Sequence, residues 1–528
     1  MSSTAPVIGI DLGTTNSCVS VMIDGQVHVI PDESGERLQA SMVAFLEDGS
    51  VVVGNSARAE AVVDPTSTIS STKRLIGRAF DSHECMLARQ QFAYEVIEGK
   101  QRAPVIGVRG QRYSVPEISG MVLRRLKDIA EAYLGCTINL AVITVPANFN
   151  DVQRQMTKLA GELAGLEVLR VLNEPTAAAL AYGYGKDIEA RLAIYDFGGG
   201  TFDLTLLEVR GDVFEVIGTA GDTYLGGDDF DYRLARYMLL AFEKTHGFSI
   251  EQDPLARSRL KLVAERTKME LSERDRVIVN VQELAYDDTG KSYDLKFQIE
   301  RENLARFCGD IVTRSFEVCD LALADAGLSH SDLDGVVLVG GMTQIPLVQE
   351  MVGAHFGQAP MTDLHPDEVV SVGAAIQGAS LMVDAFSNPM TGVHPLLLDV
   401  TPMSLGVKTV AGLFDVIIER NAPIPCDQTR TFTTAADHQS IVRLEIFQGE
   451  HREADRNVKL GELELYGLRP GLRGEVSVEV TFELDTDGIL VVTAQDPETG
   501  KAQATRLTLN AGYSPDEMQR MRNRSGLV

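Results

Sequence analysis

The sequence predicts a multidomain α/β region followed by a smaller antiparallel β domain, and three observations carry that reading. Up to about Phe386, short apolar runs alternate with longer stretches of helical periodicity. After Val400 the pattern changes to two-residue alternation. Between them, Ser387-Asn388-Pro389-Met390-Thr391-Gly392-Val393-His394-Pro395 holds prolines and a glycine that cannot easily continue a helix.

In the first region (1–386), Leu140-Ala141-Val142-Ile143-Thr144-Val145 reads as a buried strand, and the stretch from Asp151 to Leu163 as the helix that follows it. The segment 387–401 reads as an interdomain linker. Its Leu396-Leu397-Leu398-Asp399 is apolar where a solvated linker would be polar, so it either docks on a neighbouring domain or opens the β domain as its first strand. The pattern leaves both open. In the β domain (402–510), residues 476–484 alternate strictly, then Asp485-Thr486-Asp487-Gly488 turns into a second apolar run, which is a β-hairpin. In the tail (511–528), Ser514-Pro515-Asp516-Glu517 joins a capping hydroxyl, a proline at the first helical position and an acid three residues after the serine. A helix of two or three turns fits before Val528.

Size and composition bound the function. A chain of 528 residues suggests roughly three or four domain-sized units, and 44% hydrophobic with 23% charged residues is ordinary for a folded globular protein. With 75 acidic against 48 basic residues, the net charge of −27 repels phosphate backbones and anionic membranes, so neither nucleic acid nor membrane is an expected partner. The basic cluster of Arg124, Arg125 and Lys127 reads more simply as a solvated helix face. Six scattered cysteines without a CxxC pair or metal-ligand spacing suit reduced thiols. No basic start with a long apolar run stands at the N-terminus, so a cytoplasmic location is expected.

Two segments carry the chemistry. Ile8-Gly9-Ile10-Asp11-Leu12-Gly13-Thr14-Thr15 and Ala193-Ile194-Tyr195-Asp196-Phe197-Gly198-Gly199-Gly200-Thr201-Phe202-Asp203 are each an apolar strand, an aspartate and a glycine/threonine turn. Glycines let backbone amides approach phosphate oxygens, threonine hydroxyls add donors, and an aspartate at the strand end can hold hydrated Mg²⁺. One such loop is weak evidence; two in matching order suggest duplicated halves gripping one nucleotide. A third turn, Val339-Gly340-Gly341-Met342-Thr343, suits a nucleoside if the first two take the phosphates. Gly290-Lys291-Ser292 mimics a Walker loop, but Ala285 stands where that pattern needs glycine, and the segment reads as a hairpin turn. No nucleophile elbow, HExxH or Ser/His/Asp grouping competes.

With these residues in view, the chain resembles the DnaK-type seventy-kilodalton heat-shock chaperones over nearly its whole length. The matching words are Asp11-Leu12-Gly13-Thr14-Thr15-Asn16-Ser17, Lys73-Arg74-Leu75-Ile76-Gly77-Arg78, Asn173-Glu174-Pro175-Thr176-Ala177-Ala178-Ala179, Gly221-Asp222-Thr223 and Leu396-Leu397-Leu398-Asp399-Val400-Thr401-Pro402. The resemblance implies an actin-like, duplicated ribonuclease-H-like ATPase of two lobes, a hydrophobic linker and a β-sandwich that binds extended peptides. It implies ATP/ADP, Mg²⁺ and K⁺ as ligands, unfolded polypeptides, a J-domain co-chaperone and a nucleotide exchange factor as partners, and a stress-response role in protein folding.

By the same resemblance, Lys73 would stabilise the γ-phosphate and position the attacking water, with Thr201 as a further catalytic residue, while Asp11, Glu174, Asp196 and Asp203 would organise the metals and water. Gly13, Thr14, Thr15, Asn16, Gly198, Gly199, Gly200, Gly226, Gly227 and Gly340 would line the nucleotide. Glu265, Lys268 and Ser272, spaced by three and four on one helical face, would hold the adenosine, with Gly341 and Asp367 opposite. Pro146, Arg154, Arg170 and Asp399 match positions used for interdomain signalling. Val407, Thr409, Val410, Phe432, Thr434, Ala435, Val442 and Val478 match the peptide groove, although each apolar one fits ordinary sandwich core equally well.

Some positions depart from the family. Gln344 replaces an arginine beside the adenine; Asn148, Tyr224 and Met269 also differ, and Pro395 stands where valine is usual. The family's helical lid would begin where this chain stops, which implies fast peptide exchange. Two other classes share the ATPase architecture: a sugar- or acetate-kinase-like phosphotransferase, marked by acceptor-dependent ADP formation, and a filament-forming actin relative, marked by sedimentation with ATP. Neither explains the Leu396 linker with a β domain behind it.

Overall fold

The computed structural model describes residues 6–382, 395–500, 502–506 and 515–524, apart from positions 288 and 487. The expected domain boundary at 386/387 and the linker's proline-rich start lie outside the described residues, as do Ser514 and the last four positions.

Two mixed sheets organise the first region, one of six strands and one whose four strands from this region are extended by two from beyond it. In the first, Val7–Asp11, Asn16–Ile23 and Gln26–Val29 form an antiparallel meander; Leu140–Val145 pairs parallel with Val7–Asp11, and Glu167–Asn173 extends that parallel side. The second repeats the plan: Glu189–Phe197, Phe202–Arg210 and Val213–Asp222 form the meander, and Gly335–Val339 pairs parallel with Glu189–Phe197. The duplication inferred from the two loop words is thus also one of strand order.

Between the sheets, helices Glu174–Gly183 and Val369–Met382 cross where their side chains are small. A Cβ on Gly373 would sit 1.7 Å from the Ala177 carbonyl oxygen, and one on Gly9 would sit 2.1 Å from the Ala375 amide nitrogen. Only glycine permits this approach. A buried cluster that includes Val142, Ala177, Leu180, Ile194, Val339 and Ala374 joins the two halves. The helix Asp151–Leu163 begins on a capping box, Asn150 with Gln153, and packs on the first sheet.

Beyond the linker, two antiparallel four-stranded sheets share one apolar core. One contains Leu405–Lys408, Phe414–Ile418, Ile441–Gln448 and Val458–Tyr466; the other contains Cys426–Thr433, Ser477–Leu484, Leu490–Gln495 and Ala502–Arg506. The hairpin read at 476–484 is present as Ser477–Leu484 paired with Leu490–Gln495.

The leucine segment takes both roles that its sequence allowed. Leu396–Val400 extends the edge of the second mixed sheet, with Leu396, Leu397 and Leu398 parallel to Val213, Phe214 and Glu215. Its end pairs with Pro423–Ile424 of the β domain. The C-terminal helix Pro515–Arg524 lies on the first half: Arg522 donates to the Glu162 carbonyl at 2.8 Å, Arg524 pairs with Glu117, and Met521 enters the first core.

Arg124, Arg125 and Lys127 are engaged by Asp128, Glu33 and the Gly165 carbonyl; the two arginines are half-exposed, but Lys127 is buried, so the three do not form one solvated helix face as expected. Gly290-Lys291 belongs to the connection between Arg276–Tyr286 and Ser292–Glu300, where the Lys291 amide donates to Asp287 at 3.1 Å. All six cysteines are unpaired. No described helix is long and apolar enough to cross a membrane.

Candidate functional site

Three strand ends meet at one cavity of about 310 Å³. In the first sheet Asp11 lies opposite Cys18 in register; in the second Asp196 lies opposite Asp203. The spacing across the turn is the same in both halves. The second half therefore places two carboxylates side by side where the first has one.

The turns interlock through their glycines. A Cβ on Gly199 would stand 2.0 Å from Thr15 Oγ1, one on Gly200 2.6 Å from Thr14 Cγ2, and one on Gly226 2.5 Å from the Gly200 amide nitrogen. Gly340 holds φ at 82°, and a Cβ there would meet the Phe197 carbonyl at 2.5 Å. This is a cradle with backbone at its surface, the arrangement that accepts phosphate oxygens. Asp11, Gly13, Thr14, Thr15, Asn16, Lys73, Glu174, Asp196, Gly198, Gly199, Thr201, Gly227, Glu265, Lys268, Ser272, Gly340, Gly341 and Asp367 line the cavity. Gly200, Gly226 and Asp203 are not among the lining residues.

One lysine faces four acids. Lys73 and Glu174 form a buried ion pair. Burial, then the Glu174 charge, raises the Asp11 carboxyl to about 7, even though Lys73 and the Thr144 hydroxyl, 3.3 Å away, pull it down. Asp196 and Asp203 are raised well above the carboxylate range by burial and by their acidic neighbours. The Asn148 amide donates to Asp203 at 3.2 Å, and its side chain donates to the Gly221 carbonyl at 2.8 Å. So much uncompensated negative charge fits a cation. Among the described residues no three of these carboxylates bring ligand oxygens within 4.8 Å of one another, so Mg²⁺ would be held partly through water or phosphate oxygens.

Helix Pro254–Glu273 brings the positions expected to hold the nucleoside to the cavity wall. Lys268 pairs with Asp231 at 2.8 Å, and Ser272 donates to the Lys268 carbonyl at 3.2 Å. Opposite them, Gln344 donates to Asp367 at 2.5 Å. Met269 stands half-exposed in the cavity wall.

Two arginines that sequence reading left without a role tie the halves together. Arg58 donates to Asn16 at 3.0 Å and reaches Glu265 at 3.5 Å. Arg74 is fully buried, bonds Asp229 at 2.8 Å and the Gly200 carbonyl at 3.3 Å, and lies 4.2 Å from the centre of the Tyr224 ring. Its place beside Lys73 in the Lys73-Arg74-Leu75 word was the available signal; nothing in the sequence marked Arg58.

Comparison with known families decides the assignment: the family model described as Hsp70 protein matches residues 7–526. This chain is an Hsp70 family member. Hsp70 proteins are ATP-dependent chaperones with an actin-like ATPase and a β-sandwich. They bind ATP or ADP with Mg²⁺, unfolded peptides, J-domain co-chaperones and nucleotide exchange factors. The match does not favour the phosphotransferase or the filament former.

In this Hsp70 chain the residues read as coupling positions gather at the junction with the β domain. Asn173 donates to Asp399 at 2.9 Å, Arg154 donates to Asn173 at 2.5 Å, and Arg170 donates to the Thr486 carbonyl at 3.0 Å. Pro146 is buried at the start of the loop that carries Asn148, and the Phe149 amide closes a turn onto its carbonyl at 3.1 Å. The groove positions divide. Val407 and Val478 are in the sandwich core, and Phe432 and Val442 pack against it. Thr434 is buried and Thr409 half-buried, whereas Val410 and Ala435 are exposed.

Proposed function

We propose that this Hsp70 protein is a chaperone of the DnaK type that binds extended hydrophobic segments of unfolded proteins, and that hydrolysis of ATP changes its peptide affinity through Leu396–Asp399. The observation that carries the coupling is the pairing of Leu396, Leu397 and Leu398 with Val213, Phe214 and Glu215, which makes the linker part of the ATPase sheet. A segment held by a sheet edge is released if that edge shifts.

In this reading Lys73 supplies positive charge at the γ-phosphate and orients the attacking water, with Thr201 beside it. Asp11, Glu174, Asp196 and Asp203 hold Mg²⁺ and K⁺, which neutralise charge on the transferring phosphoryl group. The cradle of Gly13, Thr14, Thr15 and Gly198 to Gly200 holds the phosphates; Glu265, Lys268, Ser272, Gly341 and Asp367 hold the nucleoside. The domains fall at 1–386, 402–510 and a tail from 511, with the linker at 387–401. Val410 and Ala435, exposed at the rim of the sandwich, offer the first contacts to a peptide. A cytoplasmic place, work in stress-linked protein folding, and recruitment of a J-domain partner and an exchange factor complete the reading.

The test is steady-state ATP hydrolysis with and without an extended leucine-rich peptide. The proposal expects the peptide to accelerate hydrolysis; a rate indifferent to saturating peptide overturns it.

A further inference from the structure

None of the residues Asp320, His330 and His355 lines the nucleotide cavity. Helix Arg301–Asp325 ends in a left-handed turn at Gly327, φ 66°, where the amides of Gly327 and Leu328 return to the carbonyls of Ala324 and Leu323 at 3.1 and 2.9 Å. That turn folds the chain back on itself. His330, which opens the short 3₁₀ turn His330–Asp332, therefore comes beside Asp320 of the helix just ended. The third residue arrives on helix Pro346–Phe356, whose last turn carries His355. Its ring stacks on Phe316 of the first helix, with centroids 4.3 Å apart and planes 7° from parallel, and meets the His330 ring edge-on at 4.8 Å.

The nitrogens converge on one oxygen. Asp320 Oδ1 lies 3.4 Å from His330 Nε2 and 3.0 Å from His355 Nε2, and all three ligand atoms fall within 4.8 Å of one another. A tetrahedral metal with nitrogen and oxygen ligands at about 2.0–2.1 Å has edges of about 3.3 Å, so two of the three edges are near their liganded length.

A plain ion pair explains this less well. His355 Nε2 is buried and, although 3.0 Å from the carboxylate, makes no hydrogen bond of acceptable angle among the described residues. A cation between the groups would satisfy it.

We propose that Asp320, His330 and His355 form a binding site for a transition-metal ion of the Zn²⁺ class, with its remaining position open to water. Two imidazoles select Zn²⁺, Co²⁺ or Ni²⁺ over Mg²⁺, so the site does not compete for the metal of the nucleotide. The exposed edge of Asp320 gives the ion a way in. Binding joins two helices and the turn between them, so the ion stabilises this half of the ATPase region without entering its chemistry.

The experiment is a Co²⁺ titration of untagged, nucleotide-free protein, followed by visible absorption and then by thermal melting with Zn²⁺. The site predicts one Co²⁺ per chain with a tetrahedral spectrum, displaced by Zn²⁺ and indifferent to Mg²⁺. It also predicts a melting temperature raised by Zn²⁺. His330→Ala/His355→Asn should weaken binding by at least ~10-fold and abolish the Zn²⁺ shift while ATP hydrolysis continues. Asp320→Asn, on the exposed side of its helix, should do the same if the double variant folds poorly. Equal Co²⁺ binding by wild type and variants, displacement by Mg²⁺, or no binding at all overturns the proposal.

Discussion

Asn173 donates a hydrogen bond to Asp399 at 2.9 Å, while Glu174, the next residue, pairs with Lys73 in the nucleotide cavity. Two neighbours in sequence thus face opposite ways, one towards the linker and the other into the cavity. Strand Glu167–Asn173 ends and helix Glu174–Gly183 begins between them, and Pro175 stiffens that junction. A shift of Glu174 on loss of the γ-phosphate would move the donor that holds the linker.

Replacing Lys73 tests the chemical end of this relationship. Lys73→Ala should lower single-turnover hydrolysis by ~10²–10³-fold while ATP still binds. It also leaves Glu174 buried without its partner, at a cost of about 3–5 kcal/mol. Adding Glu174→Gln should therefore recover melting temperature but not hydrolysis. Recovery of both would mean that Lys73 acts only structurally.

The linker end is tested by Asp399→Ala. The carboxylate accepts from Asn173 and from the Val400 amide, at 2.9 and 2.8 Å, and its removal frees the segment from the helix start. Basal hydrolysis should continue while its stimulation by peptide disappears. Equal stimulation in both proteins would remove Asp399 from the coupling path.

The cradle makes a separate demand. In Gly199→Ala the new methyl would stand 2.0 Å from Thr15 Oγ1, so the two loops must part. Nucleotide affinity should fall at least ~10-fold, about 1.4 kcal/mol, with little change in the β domain. Calorimetric titration with ADP reads this directly, and unchanged affinity would show that the loops do not close on the phosphates together.

Part of this architecture is legible in the amino-acid sequence. Leu140–Val145 and Asp151–Leu163 stand where periodicity puts them, because burial on a sheet and on a helix face imposes periods that short windows reveal. Sheet order is not legible, since the pairing of Val7 with Leu140, or Ile194 with Val337, joins residues far apart in sequence. The face carrying Glu265, Lys268 and Ser272 can be read from spacing, but not that Arg58 and Asp231 meet it. The leucine segment is ambiguous because a docked linker and an edge strand have the same apolar pattern, and here one segment is both.

Docking of the β domain should depend on pH through Asp151. Its amide donates to Gln448 of the β domain at 2.9 Å, and burial raises its carboxyl to about 7 against the attraction of Arg154, with Asp485 facing it. Once undocked and solvated, the group returns towards its ordinary value near 3.8. Between these values the docked state keeps a proton that the undocked state has lost, so docking weakens as pH rises from about 4 to about 7 and is level above that. Docking should be about tenfold stronger at pH 6 than at pH 8. Energy transfer between dyes on the two domains would read this, and Asp151→Asn should flatten the profile; a profile unchanged by the substitution assigns the dependence elsewhere.

The central claim, that nucleotide controls peptide affinity through the docked linker, is tested most directly by the release rate of a labelled leucine-rich peptide after mixing with ATP or buffer. A coupling of 1–3 kcal/mol predicts that ATP accelerates release by about 5–150-fold, in the wild type and in Lys73→Ala alike, because bound ATP sets one state of the linker and loss of the γ-phosphate returns it to the other. A release rate that ATP leaves unchanged, or a peptide that never binds, would contradict the account.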